Sequence, residues 1–451
     1  MSIMGLIKSP LDTLVWIRMT HVCHAWREIL IGDPNLWTQI SASRSSWVLE
    51  MLSRSRDMPL SVKVDFFDLH PEGEEAAMHA LQQLPRIREL TLDIPNMGAV
   101  SEELIKPAPI LESFAVQVYR RFTSPSLPEP LFAMIAPQLR RLSLENCQIP
   151  LNAPSFDKLT HLRLADSQLT LKISDFFTIL RRLGNLVDLS LLNLRLSEHF
   201  TEADFDQMAP VEFPRLVKLV ITEFPVAFLW NLRLPANPDV LLVFSYRHVL
   251  AVEQLEVAIL SVLRCFTDLG VCTQALMIEN TPSFCRVGHH PCDVPHEYPR
   301  FTVRLNHTLF SMIPRISRAF LAHPPIKDHL LVLKISGQRA AVVKQDMLPL
   351  KELRTLILDH FAAQEWLASM NRFRGPDVYP RLESIIFTDP VFSGDLGARA
   401  LEHLVKYITS RIQSQCSSIK TLKLSAQELL EFTAATRLRG LVPEILFFTP
   451  E

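Results

Sequence analysis

Apolar residues recur along most of the chain in one short pattern. Two positions separate the first apolar residue from the second, and one position separates the second from the third, as in Ile87, Leu90 and Leu92. Further units of this kind begin at Leu111, Leu139, Leu159, Leu186, Leu216, Leu330, Leu353, Leu382 and Ile419. Alternate residues of a strand point to one face, so each unit predicts a short β-strand with a buried side.

The spacing of the units indicates how the strands are arranged. The first six begin 24, 28, 20, 27 and 30 residues apart, at or just beyond the roughly 20–29 residues of leucine-rich repeats. Cys147 with Ile149, and Ser167 with Leu169, fill the asparagine-or-cysteine and last-leucine positions of that repeat. One strand cannot bury its apolar face alone, but stacked units can. The expected fold is therefore α/β, a leucine-rich-repeat-like solenoid of short parallel strands. An ordinary α/β domain with coincidental matches is the alternative.

The segments between the units predict helical or irregular returns. Ile173, Phe176, Phe177, Leu180 and Leu183 have helical spacing and predict an amphipathic return helix. The middle section, about 225–326, is the least regular. It predicts strands over 240–246, 274–279 and 301–305 and a helix over 250–269. We interpret it as degenerate repeats with an insertion, with an embedded separate domain as the alternative.

The first residues predict a compact helical unit. Val15, Met19, Val22, Trp26 and Ile29 are four, three, four and three residues apart, which places them on one face of a helix. The run Gly32-Asp33-Pro34 ends that helix, because proline lacks the backbone N–H and disfavours helix before it. The apolar pair that follows is expected to fold back on the helix. Next, the sequence predicts a short helix over 47–54 and a strand over 60–66.

The N-terminal string resembles the second half of an F-box. The matching features are Val22-Cys23, Trp26-Arg27, and Pro34 followed by Leu36-Trp37. The resemblance implies docking onto a Skp-type adaptor through Val22, Cys23, Trp26, Leu36 and Trp37. The Leu-Pro-acidic opening usual in F-boxes has no counterpart before Trp16, so adaptor binding is expected to be weak.

The resemblance gives the expected organisation and function of the chain. The chain is expected to comprise a partial F-box (14–40), a connecting helix and first strand (41–70), and the leucine-rich-repeat-like solenoid (71–451). The expected function is that of the non-catalytic substrate-recognition subunit of a Skp–cullin–F-box ubiquitin ligase, with an unknown protein substrate on the repeats. The alternative is a leucine-rich-repeat binding scaffold with a degenerate F-box and no ligase connection.

Composition argues against several other classes of protein. The formal net charge is −2, which indicates no general attraction to nucleic acid or to anionic membranes. The 12 glycines form no phosphate-binding loop or hydrolase elbow, so we expect neither an enzyme nor a cofactor. The seven scattered cysteines indicate no disulfide framework and favour a reducing compartment, cytoplasmic or nuclear.

One cluster of possible metal ligands stands out in the middle section. Cys285, His289, His290, Cys292 and His296 lie within twelve residues, and zinc accepts thiolate and imidazole ligands. Their spacing contains no CxxC pair and matches no common zinc motif. A polar loop is therefore the preferred interpretation, and no metal site is predicted.

Overall fold

The structure of the chain is a computed structural model. It describes residues 15–41, 45–66, 71–98, 100–119, 125–148, 154–169, 172–196, 208–235, 238–244, 257, 259–260, 262, 275–280, 284–290, 301–306, 321, 328, 330–337, 350–373, 379–389, 391, 394–414, 416–425 and 437–448. The chain divides into two compact units. The first is Met1–Thr201 with Val211–Leu216, and the second is Glu202–Pro210 with Val217–Glu451.

The first unit combines helices with short parallel strands. Its helices are α1 (His24–Gly32), α2 (Ser45–Arg54), α3 (Pro71–Leu81), α4 (Ser101–Leu104) and α5 (Ile173–Arg182). Its strands are β1 (Gln39–Ser41), β2 (Leu60–Asp65), β3 (Ile87–Ile94), β4 (Ser113–Val118), β5 (Arg141–Glu145), β6 (His161–Ala165), β7 (Gln168–Leu169), β8 (Asp188–Leu192), β9 (Arg195–Leu196) and β10 (Val211–Glu212).

Strands of the first unit pair in chain order. β1, β2, β3, β4, β5, β6 and β8 lie side by side, and each pair is parallel. The register joins equivalent apolar positions, so Leu142 lies opposite Leu162, and Leu162 lies opposite Leu189. The short strands β7 and β9 form a second parallel pair. The strands of the main sheet of this unit thus follow one another in chain order.

The second unit contains a mixed sheet. Its strands are β11 (Lys218–Thr222), β12 (Leu232–Arg233), β13 (Asp239–Phe244), β14 (Ala275–Asn280), β15 (Phe284–His290), β16 (Phe301–Asn306), β17 (Val332–Gly337), β18 (Thr355–Leu358), β19 (Ser384–Phe387), β20 (Thr421–Ser425) and β21 (Glu444–Phe448). From β17 to β21 the strands again pair in parallel and in chain order.

The middle section reverses this order. β13 pairs with β16, β16 with β15, β15 with β14, and β14 with β17. The two contacts of β15 are antiparallel, and β15 was not expected from the sequence. Strands at 239–244, 275–280 and 301–306 match the three predicted there. Most of the predicted helix over 250–269 lies outside the described residues.

The apolar pattern explains why these strands form a core. All three apolar positions of each of the ten sequence units are at most 3% exposed, and in every unit the second and third lie on a strand. The predicted return helix is present as α5, which buries Ile173, Phe176, Phe177 and Leu180. These findings confirm the predicted α/β class with parallel strands.

The residue after several strands has a left-handed backbone conformation. Asn146 follows β5, Asp166 follows β6 and Asn193 follows β8, and all have positive φ. Asparagine and aspartate adopt this conformation more readily than other non-glycine residues. Next in the chain are Cys147 and Ser167, both buried, and the Ser167 hydroxyl accepts a hydrogen bond from the Cys147 N–H at 3.3 Å. The Ser167 hydroxyl in turn donates to the Ala165 carbonyl at 2.8 Å, so one template position satisfies the backbone N–H of the other.

Two helices pack together in the second unit. They are α6 (His360–Phe373) and α7 (Gly394–Gln413), and α6 also contacts β17 and β18. The α6 residue Trp366 and the α7 residue Tyr407 are buried, with ring centroids 5.0 Å apart. Among the helices that the structure describes, none combines the length and apolarity needed to cross a membrane.

Candidate protein-binding surface

The predicted N-terminal helix is divided into two. A 3-10 turn covers Val15–His21, Cys23 is extended, and α1 begins at His24. The Arg27 side chain of α1 donates to the Thr20 carbonyl at 3.0 Å and joins the two pieces. The prediction of one continuous helix was therefore wrong, while its end at Gly32 is confirmed.

Three apolar side chains at and just before α1 are exposed. Val22, Trp26 and Ile29 are 66%, 42% and 59% exposed. Trp26 and Ile29 lie three residues apart on α1, on one face of that helix, and Val22 lies just before the helix. We call these three residues the N-terminal apolar face. The nearby Ile31 is 37% exposed as well, and Leu30 is the buried residue of α1. A nine-residue helix is marginal alone in water, so an outward apolar face on it suits a partner that covers it.

Trp37 anchors this surface to the first unit. It is 1% exposed, and its indole N–H donates to the Leu30 carbonyl at 3.2 Å. The Arg54 guanidinium lies 4.3 Å from the centroid of the Trp37 ring, which is cation–π geometry. Asp33 starts the 3-10 turn Pro34–Trp37 by accepting from the Asn35 N–H. The predicted fold-back of Trp37 on the helix is confirmed.

A half-buried arginine holds the next helix in place. Arg86, just before β3, donates to the carbonyl oxygens of Leu52, Arg56 and Met58 near the C-terminus of α2, and to the Ser55 hydroxyl. Burial lowers the pKa of Arg86 from its ordinary value, and Asp57 partly opposes this shift. Because α2 in turn packs on β1 and on the turn that contains Trp37, Arg86 helps to position the surface.

The five residues expected to bind an adaptor do not form one group. Val22, Cys23 and Trp26 are all exposed near the start of α1. Leu36 is half-buried, and Trp37 belongs to the core. Sequence reasoning did not assign Ile29 to the site, although its spacing of three residues from Trp26 gave the signal.

The cysteines give a chemical test of this placement. Cys23 is exposed, whereas Cys147 is buried, and burial raises the pKa of the Cys147 thiol to about 12. Alkylation requires the thiolate and access to it. We therefore expect iodoacetamide at pH 8 to modify Cys23 in the native protein and Cys147 only after unfolding. Peptide mass spectrometry follows each site, and equal rates at the two residues would contradict the placement.

The outward face of the first unit's sheet is polar and largely self-paired. Arg141 bonds to Glu89 at 3.1 Å, and Arg163 bonds to Glu145 at 3.0 Å. Gln117 donates to the same Glu145 carboxylate at 3.0 Å. These contacts link side chains of different strands and satisfy the charges within the protein.

The ionised form of one carboxylate on this face, that of Asp93, is disfavoured. Burial raises the pKa of Asp93, as do the neighbouring Asp65 and Glu145, while Lys63 lowers it.

The structure does not describe the side chains of the candidate metal ligands. Cys285, His289 and His290 lie on β15, of which the backbone alone is described. Cys292 and His296 lie outside the described residues. Among the side chains that the structure describes, no group of three or more His, Cys, Asp or Glu residues could hold a metal ion.

The chain matches no protein-family model, and a search of curated proteins gave no match.

Proposed function

We propose that the protein is the substrate-recognition subunit of a Skp–cullin–F-box type ubiquitin ligase and is not itself an enzyme. The N-terminal apolar face is the observation that carries the proposal. An adaptor would cover Val22, Trp26 and Ile29, while the parallel strands would serve as a leucine-rich-repeat-like solenoid that recruits a protein substrate.

The properties of α1 support a protein partner at this face. A few buried anchors provide most of the affinity of an interface, and tryptophan is over-represented among them. Polar side chains border the face, including the exposed pair His24 and Glu28, whose atoms are 3.6 Å apart. An apolar centre with a polar rim is the usual anatomy of protein interfaces.

One observation favours a second candidate, a binding scaffold with no ligase connection. Trp37, part of the F-box resemblance, is used inside the chain, where it packs beneath α1 and under Arg54. In that function the N-terminal helices would cap the first strands of the repeat array. Burial of both tryptophans would have fitted this candidate best, and Trp26 is exposed.

Adaptor binding separates the two candidates. We expect purified Skp-type adaptor to bind the full chain measurably but weakly, and Trp26→Asp or Ile29→Asp to weaken binding by about thirtyfold, the size of a 2 kcal/mol anchor. Ile412→Asp on α7 is the matched control, because Ile412 is 54% exposed and Ile29 is 59% exposed. Titration calorimetry would measure the affinities.

Protection of Cys23 gives an independent readout. Because Cys23 adjoins Val22 of the apolar face, bound adaptor should slow its alkylation severalfold. Absence of adaptor binding by the folded chain would reject the ligase proposal in favour of the scaffold. Equal effects of Ile29→Asp and Ile412→Asp would show that the adaptor binds elsewhere.

A further inference from the structure

One strand of the second unit's sheet has a neighbour on one side only. Among the strands that the structure describes, β21 pairs with β20 alone. The Glu444 N–H donates to the Lys420 carbonyl at 3.1 Å, so Glu444 directs its backbone groups toward β20. Because these groups alternate in direction along a strand, the N–H and C=O of Ile445 and Phe447 point to the open edge.

The apolar side chains of β21 are less covered than their counterparts on the preceding strands. Ile445 lies in register with Leu422, and Phe447 lies in register with Leu424. Both β21 residues are half-buried. The equivalent residues of β17, β18, β19 and β20 are at most 3% exposed: Leu333, Ile335, Leu356, Leu358, Ile385, Phe387, Leu422 and Leu424. Each of those strands has a neighbour on both sides, so a strand added beside β21 would bury Ile445 and Phe447 in the same way.

The sequence of β21 does little to keep this edge unpaired. Natural edge strands are commonly protected by lysine, by proline within the strand or by a bulge. β21 reads Glu-Ile-Leu-Phe-Phe, with one charged residue at its start, and its register with β20 has no bulge. Leu446, at its centre, is 44% exposed. Such an edge is a template for a strand from another chain.

A second copy of β21 fits this edge in an antiparallel register. With a twofold axis at Leu446, Ile445 of each copy lies opposite Phe447 of the other. These are the residues whose backbone groups point outward, so each such pair exchanges two hydrogen bonds. Leu446 lies opposite its own copy in the non-hydrogen-bonded position between them, where Cα atoms are about 4.5 Å apart. Apolar residues thus meet apolar residues at all three positions.

The positions of one charge and one proline favour this register over its neighbours. Glu444 lies opposite residue 448 of the second copy, so the carboxylates of the two strands do not face each other. An axis at Glu444 would oppose those carboxylates, and like charges directly opposite are destabilising. That axis, or one at Ile445, would also bring Pro443, which has no N–H, into a hydrogen-bonding position. An axis at Phe447 would pair Ile445 with a residue beyond the strand.

We propose that the chain forms a twofold dimer by antiparallel pairing of β21 with β21 of a second copy, with Leu446 at the axis. Such an interface uses the same surface on both copies and therefore closes as a dimer. The dimer goes beyond the proposed function, because it requires neither the adaptor nor a substrate. Two strands of five residues cover less than the roughly 1,600 Å² of a standard interface, so we expect a Kd on the order of 10 μM.

Charges placed at the axis test the register in the full chain. Sedimentation velocity would follow self-association from about tenfold below to about tenfold above that Kd. Leu446→Lys and Leu446→Glu should each weaken association at least about tenfold, because like charges would then face each other. An equal mixture of the two variants should recover most of the association, since lysine then faces glutamate. The matched controls, Ile412→Lys and Ile412→Glu, alter a residue of the same unit that is 54% exposed and should associate like the parent chain.

A disulfide at the axis gives a second readout that does not depend on a charged variant. The expected Cα separation of about 4.5 Å lies within the range of about 4.4–6.8 Å found in disulfides. Mild oxidation should therefore link two Leu446→Cys chains through that residue, as peptide mass spectrometry would show. Ile412→Cys should form the corresponding link far more slowly. Circular dichroism checks that each variant is folded, and the crosslink decides if a charged variant is not.

Each contrary outcome rejects a defined part of the inference. A parent chain that stays monomeric throughout the concentration range would overturn it. A dimer that Leu446→Lys leaves intact would place the interface elsewhere and overturn it as well. Weakened association of both single variants without recovery in their mixture would reject the axis at Leu446. Absence of adaptor binding would leave the dimer standing, so the two proposals fail separately.

Discussion

Replacing Leu162 with aspartate is expected to unfold the first unit. Leu162 is 1% exposed and lies on β6 between Leu142 of β5 and Leu189 of β8. Truncation of a buried leucine to alanine already costs about 2–5 kcal/mol. Aspartate adds the penalty of a polar or charged group with no partner in an apolar core. Because folded domains are stable by only about 5–15 kcal/mol, we expect little native protein at 25 °C.

Limited proteolysis and circular dichroism would check this result. The matched control is Arg163→Ala, one residue along the same strand, where the side chain is exposed and pairs with Glu145. An exposed pair contributes about 0–1 kcal/mol, so the control should melt within a few degrees of the parent. A Leu162→Asp protein with native protease resistance would contradict the packing of β5, β6 and β8.

Repeat positions were predictable because the pattern and the structure have the same physical basis. In a unit such as Leu159, Leu162 and Leu164, the last two leucines are buried on one face of a strand. The first leucine is buried just before that strand begins. Apolar residues at those spacings are therefore required by the fold. The antiparallel strand β15 escaped prediction because its residues, Phe284–His290, mix polar, aromatic and glycine positions without alternation.

The N-terminal helix shows a different limit of sequence reasoning. Helical spacing from Val15 to Ile29 predicted one helix face, yet the chain is extended at Cys23, and Val22, Trp26 and Ile29 are exposed. Local hydrogen bonds of the Thr20 hydroxyl to Ile17 and of Arg27 to Thr20 compete with a continuous helix. Helical spacing did not indicate the break at Cys23, and it does not indicate whether the same chain or another protein covers an apolar face.

The structural role of arginines that donate to backbone carbonyls could not be predicted from the sequence. In the sequence, Arg86 and Arg411 look like ordinary surface charges. Most of their acceptors are carbonyl oxygens of segments about 30 residues distant in the chain, for example Met58 for Arg86 and Tyr379 for Arg411. Long-range contacts to backbone leave no signature in residue type.

Arg411 is the most completely buried of these arginines, with 0% exposure. It donates to the carbonyls of Tyr379, Pro380, Leu382 and Ser417 at distances between 2.6 and 3.2 Å. Its guanidinium also bonds to the Tyr407 hydroxyl at 3.3 Å. Burial raises the pKa of the hydroxyls of Tyr379 and Tyr407, so both remain neutral donors or acceptors at physiological pH. The arrangement fixes the start of β19 against the C-terminal end of α7.

Arg411→Ala should therefore destabilise the second unit by about 3–5 kcal/mol, since several buried carbonyls lose a charged donor and a large cavity forms. Arg411→Lys should recover part of this loss, because an ammonium has three donors and cannot span the same carbonyls as the planar guanidinium. The matched control is Arg381→Ala, in the segment that contains the acceptors Tyr379, Pro380 and Leu382. The Arg381 side chain is 57% exposed and should contribute less than about 1 kcal/mol to stability. Urea unfolding followed by tryptophan fluorescence would report on this unit through the buried Trp366. Equal unfolding midpoints for Arg411→Ala and Arg381→Ala would show that the buried arginine adds no stability beyond that of a surface charge.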